Sequence, residues 1–139
     1  FLSDKPGFVG RINLTSGLSE YLQVPLHAEG DTKDWGKHTP SDVKNSRGFD
    51  VKGDARSSGS GYGHLGASPP LVVGEYIYFP VMPGIVHVIK WNAEKLDGNA
   101  LVSVNDLGEA GKTWTLAGFA YSNGKLYTRT LKELICIGK

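Results

Sequence analysis

The sequence predicts an all-β chain, a partial β-propeller built from four-stranded antiparallel blades, with strands for about two to three of them. Three observations predict this. Residues 68–91 form three short runs rich in Val, Ile, Tyr and Phe, broken by turn residues at Gly74-Glu75 and Met82-Pro83-Gly84. Those runs are apolar at consecutive positions (Ile77-Tyr78-Phe79, and Val86 with Val88-Ile89 around His87), where a sheet with one wet face would alternate. The same patterns also recur along the chain at fixed spacings. Composition agrees: 19 of 139 residues are Gly and long helical patterns are scarce. Fifteen Lys and Arg against 14 Asp and Glu leave no net field to draw the chain to nucleic acid or an anionic membrane. No apolar run approaches the roughly 18–20 residues of a bilayer span.

Taken in order, residues 6–14 read as a strand ending at Thr15-Ser16-Gly17, and 19–24 as its antiparallel partner, stopped by Pro25. From 26 to 67 periodicity disappears, and the stretch carries eight Gly, six acidic and six basic residues. Its length far exceeds the usual loop ceiling of about 12–15 residues, so it reads as a functional or mobile insertion. Strands resume at 71–73, 76–81 and 85–91, all apolar enough to be covered on both faces. Residues 92–99 are a polar turn, and 100–105 a fourth strand. A second meander follows at 115–121, 125–130 and 133–137, with turns at Asn123-Gly124 and Leu131-Lys132. Cys136, the single cysteine, reads as a small buried hydrophobe and allows no disulfide within the chain. The chain opens with Phe1 rather than Met, which suggests a processed or fragmentary polypeptide.

The repeats decide how these strands group. A shift of 49 lays Ile77-Tyr78 on Leu126-Tyr127 and Val86-His87-Val88 on Ile135-Cys136-Ile137. A shift of 77 lays Pro83-Gly84-Ile85-Val86 on Pro6-Gly7-Phe8-Val9 and Ile89 on Ile12. One propeller domain is therefore expected, in which 1–25 is a half blade of third and fourth strands and 26–67 is the insertion. Residues 68–110 would then be a complete blade and 111–139 three strands of a further one.

The phrases Ala67-Ser68-Pro69-Pro70-Leu71-Val72-Val73-Gly74-Glu75-Tyr76-Ile77-Tyr78 and Gly124-Lys125-Leu126-Tyr127-Thr128-Arg129 through Ile137-Gly138 resemble the PQQ-like, quinoprotein-type β-propeller repeat of bacterial exported proteins. The resemblance implies a periplasmic or extracellular location. It also implies that the remaining blades come from the same protein or from another chain. Family members include quinone-dependent dehydrogenases, which hold PQQ and calcium with a vicinal cysteine pair and Glu, Asn and Asp ligands. With Cys136 alone the pair is missing, so no cofactor residue carries over and none is assigned.

Candidate sites fall in the insertion and the turns beside it. Gly61-Tyr62-Gly63-His64-Leu65-Gly66 matches G-x-G-x-x-G, but a polar loop precedes it and Ser68-Pro69-Pro70 follows, so the strand and helix that a dinucleotide site needs are missing. Asp50, Asp54, Arg56 and His64 could form a polar cluster, although their spacing fits neither a calcium loop nor a zinc pattern. Trp35, alone among polar residues, could stack on a ligand; Trp91 and Trp114 read as packing residues at blade edges. His87 reads as a core or channel histidine, and Asn13-Leu14-Thr15 as a chance glycosylation sequon. In an antiparallel four-strand unit, the insertion emerges at the same end as Met82-Pro83-Gly84 and Leu131-Lys132, next to Arg129. The candidate ligand-binding set is thus Trp35, Asp54, Arg56, His64 and Arg129, with no catalytic or metal-ligating residue. The function this favours is a non-catalytic binding or assembly module with a protein or polysaccharide ligand. The alternative is part of a quinoprotein-like oxidoreductase or of a propeller enzyme acting on polysaccharide.

Overall fold

In the computed structural model, residues 8–24, 68–82, 84–108 and 113–139 are described. Among them, nine strands form three antiparallel sheets in which every strand pairs with a neighbour in sequence. Strands β1 (Phe8–Ile12) and β2 (Ser19–Gln23) form a hairpin. Strands β3 (Leu71–Val73), β4 (Tyr76–Pro80), β5 (Ile85–Lys90) and β6 (Leu101–Asp106) form a four-stranded sheet. Strands β7 (Ala120–Ser122), β8 (Lys125–Arg129) and β9 (Leu134–Ile137) form the third sheet.

The four-stranded sheet lies between the other two. On one face Ile77, Phe79 and Ile89 pack with Val9, Leu22 and Val24 of the hairpin, joined by Leu96 and Ala100 from the β5–β6 connection. On the other face Tyr78 meets Phe119 edge-on, with ring centroids 6.1 Å apart, and Val86 and Val88 look across to Leu126 and Ile135. Strand β5 is consequently buried at five successive positions from Ile85 to Ile89, which accounts for its unbroken apolar run. His87 is fully buried within it, opposite Phe79 and Val104. Burying each such aliphatic side chain contributes about 1.5–3 kcal/mol, so β5 is the hydrophobic centre of the described structure.

Two expectations are corrected. Residues 115–121 were expected to be a strand, yet only Ala120–Ser122 is one. The backbone before it is committed elsewhere: Thr115 N–H donates to Met82 O at 2.9 Å, across to the four-stranded sheet. The Thr115 hydroxyl donates to Arg129 O at 2.6 Å and accepts from Ala117 N–H at 3.0 Å, a local pattern that competes with a ladder. The 49-residue shift carries β3 onto 120–122, so the repeat held the better boundary.

Cys136, expected to be buried, is exposed. The physical reason lies in a turn. Val81 N–H to Ile85 O closes the β4–β5 loop around residues 82–84, whereas Thr130 N–H to Glu133 O closes the β8–β9 loop around Leu131-Lys132 alone. The second loop is one residue shorter, so Leu126 faces Ile137, where a strict repeat of Ile77 facing Ile89 would bring Gly138. A one-residue offset turns every side chain to the opposite face. Ile135 and Ile137 therefore point toward the four-stranded sheet and Cys136 points away, beside Tyr127.

Candidate functional site

Of the predicted ligand-binding residues, Trp35, Asp54, Arg56 and His64 lie outside the described residues, as do Asp50 and the 61–66 glycine motif. Arg129 is described. It ends β8 with its side chain exposed, and its carbonyl accepts the Thr115 hydroxyl bond.

Around Arg129 the structure builds one end of the stack. The pairing Leu71↔Tyr78 places the start of β3 near the end of β4, so Ser68, where the chain re-enters from 25–67, lies at the same end as Val81 and Met82. Met82, Trp114 and Leu131 pack together, and Leu131 N–H donates to Trp114 O at 3.0 Å, bringing the two turns into one surface. Residues 113–115 are its floor, buried between the sheets. Gly84 has φ +86°, and a Cβ there would overlap the Thr113 side chain, so this turn needs glycine for its dihedral and for its space. Trp114 Nε1 and Ser68 Oγ are buried in this region and have no hydrogen-bond partner among the described residues. Sequence reasoning found the turns but missed the floor: it takes Thr115 as the first residue of a strand and Trp114 as a packing residue at a blade edge.

A second feature is a cleft of about 610 Å³ between the four-stranded and three-stranded sheets. Its walls are mostly apolar, with Tyr78, Val86 and Val88 facing Leu126, Ile135 and Ile137. Ser103 and Asn105 of β6 supply polar groups at one side, and Asn105 Nδ2 donates to Ser103 Oγ at 2.9 Å. Nothing in the sequence announced this cleft, because it depends on the shorter β8–β9 turn and on β6 extending one strand beyond the sheet it faces.

The opposite side of the molecule is held electrostatically. The Arg11 guanidinium pairs with Glu20 and donates to the carbonyls of Trp91 (3.1 Å), Ala93 and Glu94 (3.1 Å), while Leu96 N–H donates to Glu20 Oε1 at 3.2 Å. The Arg11 and Leu96 hydrogen bonds hold the Glu20 carboxyl below its ordinary range. Asn92 and then Lys90 do the same to Glu75. Trp91 is half exposed and donates from Nε1 to Gly74 O at 2.9 Å, an edge-packing role, while Trp114 is buried. Facing Cys136 and partial desolvation push the Tyr127 hydroxyl up.

Among the described residues no three His, Cys, Asp or Glu side chains converge as metal ligands. Cys136 is exposed on the outer face of its sheet. The fold and these two surfaces define a stack of antiparallel sheets with a knitted end and an open apolar cleft. Compared with known protein families, with curated proteins and with solved structures, the chain matches none.

Proposed function

We propose that this chain is a segment of an exported β-propeller of the PQQ-like repeat type, acting as a non-catalytic binding or assembly module. The observation that supports it best is the stack itself. A four-stranded meander is buried on both faces between sheets of the same antiparallel order, and the strands of two of these sheets recur at a spacing of 49 residues. The partner would meet the end built from Met82, Gly84, Trp114 and the Leu131-Lys132 turn, with Arg129 beside it. Loops on a rigid scaffold carry recognition more often than the scaffold does.

Light scattering of the purified chain tests the assembly role. A species heavier than the 15.0 kDa monomer is expected, and a folded, stable monomer at that mass overturns the shared propeller. The enzyme alternative is tested by incubation with PQQ and calcium followed by desalting. No quinone absorbance is expected to remain, and a retained chromophore would favour the oxidoreductase.

A further inference from the structure

We propose that the joint between the β1–β2 hairpin and the four-stranded sheet is an acid-released latch, in which protonation of Glu20 frees the hairpin while the sheet stays folded. The release is local, and parts two units that each keep their own ladder.

Three observations carry it. First, the joint is made by side chains. Among the described residues no strand of the hairpin pairs with a strand of the four-stranded sheet. Units that share no ladder can separate without breaking the backbone hydrogen bonds inside either, so such a joint opens at lower cost than the fold. Second, the packing across it is uneven. Val9, Leu22 and Val24 close on Phe79 and Ile89, whereas a cavity of about 440 Å³ opens between hairpin and sheet beside Ile12, Ile77 and Trp91. Arg11 lines that cavity, so on this side the Arg11–Glu20 clamp spans the joint where apolar contact does not fill it.

Third, the clamp turns on one carboxylate whose two oxygens are both committed. Glu20 Oε2 accepts from the Arg11 guanidinium, with Nε at 2.8 Å, and Oε1 accepts from Leu96 N–H at 3.2 Å. A proton on either oxygen therefore sets a donor against a donor. Protonation at Oε1 strips the N–H of buried Leu96 of its acceptor. Protonation at Oε2 leaves the guanidinium with the carbonyls of Trp91, Ala93 and Glu94 but no anchor on its own hairpin.

The surroundings set the sense of the response. The Glu20 side chain is 41% exposed, so protons reach it from solvent. Arg11, from β1, favours the ionised form, and Asp97, from the β5–β6 connection, opposes it. Asp97 Oδ1 accepts from Asn99 N–H at 2.9 Å, and Glu94 and Lys95 of the same connection are exposed. Arg11 prevails, and the latch is closed above the ordinary carboxylate range and opens as pH falls through the lowered folded value.

The test is a methyl and amide NMR titration of the intact chain, from neutral pH to below the carboxylate range. Val9, Leu22 and Val24 report on the joint, and Val86 and Val88 on the sheet. The three hairpin methyls and the Leu96 amide are expected to shift together, with the midpoint of the Glu20 carboxyl, while Val86 and Val88 keep their native positions. Glu20→Gln places a donor where one oxygen stood, and should show the released shifts already at neutral pH with no further change on acidification. Arg11→Lys should move the midpoint up, towards the ordinary carboxylate value, because an ammonium cannot span the carboxylate and three carbonyls as the guanidinium fork does. Should Glu20→Gln fail to fold, the midpoint of the wild type against that of Arg11→Lys decides. A single transition in which hairpin and sheet methyls change with one midpoint overturns the latch. So does a Glu20→Gln chain that titrates like the wild type, since the responsible carboxyl then lies elsewhere, and so does an unmoved midpoint in Arg11→Lys.

Discussion

Arg11 and Glu20 are the residues whose loss is easiest to read. One guanidinium ties the hairpin to three carbonyls of the β5–β6 connection, and Glu20 holds both that guanidinium and Leu96 N–H. Because the Glu20 carboxyl is held below the ordinary carboxylate value of 4.5, the folded state binds fewer protons than the unfolded chain in that range. Its contribution to stability is therefore present above about pH 4.5 and is lost as pH falls through the folded value. Glu20→Gln should flatten the acid limb of a denaturation curve, and Arg11→Ala should both flatten it and lower the thermal midpoint. Phe79 belongs to the same core, 2% exposed between the hairpin and β5, and Phe79→Ala should cost about 3–5 kcal/mol by urea denaturation. Cys136 makes the opposite case. Exposed on the outer face of its sheet, it should react with a thiol reagent in the native protein as readily as in urea, whereas a buried thiol would wait for unfolding.

At the scale of elements, the β4–β5 turn should be the least tolerant of change. Gly84→Ala places a side chain in left-handed backbone and against Thr113, and should cost about 1–3 kcal/mol. Thr113→Ala added to it should recover the steric part and leave the dihedral part, which a double-mutant cycle separates. The contrasting β7–β8 turn, Asn123-Gly124 with φ of +50° and +76°, is the hairpin chemistry that its sequence advertises. Strands were legible where branched and aromatic residues lay between such turns. The runs at 71–73, 76–81 and 85–91 fall within a residue of β3, β4 and β5. They were not legible at 115–119, where Thr115 commits its hydroxyl and its amide outside any ladder. Facing was legible for neither β5 nor β9. Both have apolar alternation that suits either side, and the deciding information was the length of the loop before each strand. In β5 an offset of one residue would merely exchange Val86 and Val88 for Ile85, His87 and Ile89, so its apolar pattern cannot hold its register. The turn at Gly84 and the buried ring of His87 hold it instead.

For the molecule as a whole, hydrogen exchange should rank the sheets by how fully they are covered. Strand β5, enclosed on both faces, should exchange slowest and β7, exposed at all three positions, fastest. The all-β class and the both-faces-covered sheet were legible in the sequence, since each follows from local composition. Of the candidate site, only the meeting of two turns was legible: the sequence puts the Met82 and Leu131 turns at one end, and those side chains pack together. The inter-sheet cleft needed three dimensions, because Val102 and Ile137 are brought together by stacking and by no feature of spacing. The unbroken chain order of the strands also governs how the protein is made. With each ladder among the described residues confined to neighbours in sequence, loop closure within a sheet is cheap, and hairpins of this kind form in about 1–10 μs. Stacking of the preformed sheets is then the slow event. Refolding should show a fast phase insensitive to Phe79→Ala, followed by a slower one that this substitution retards, and a nascent chain could complete each sheet as it emerges, before the next has been synthesised.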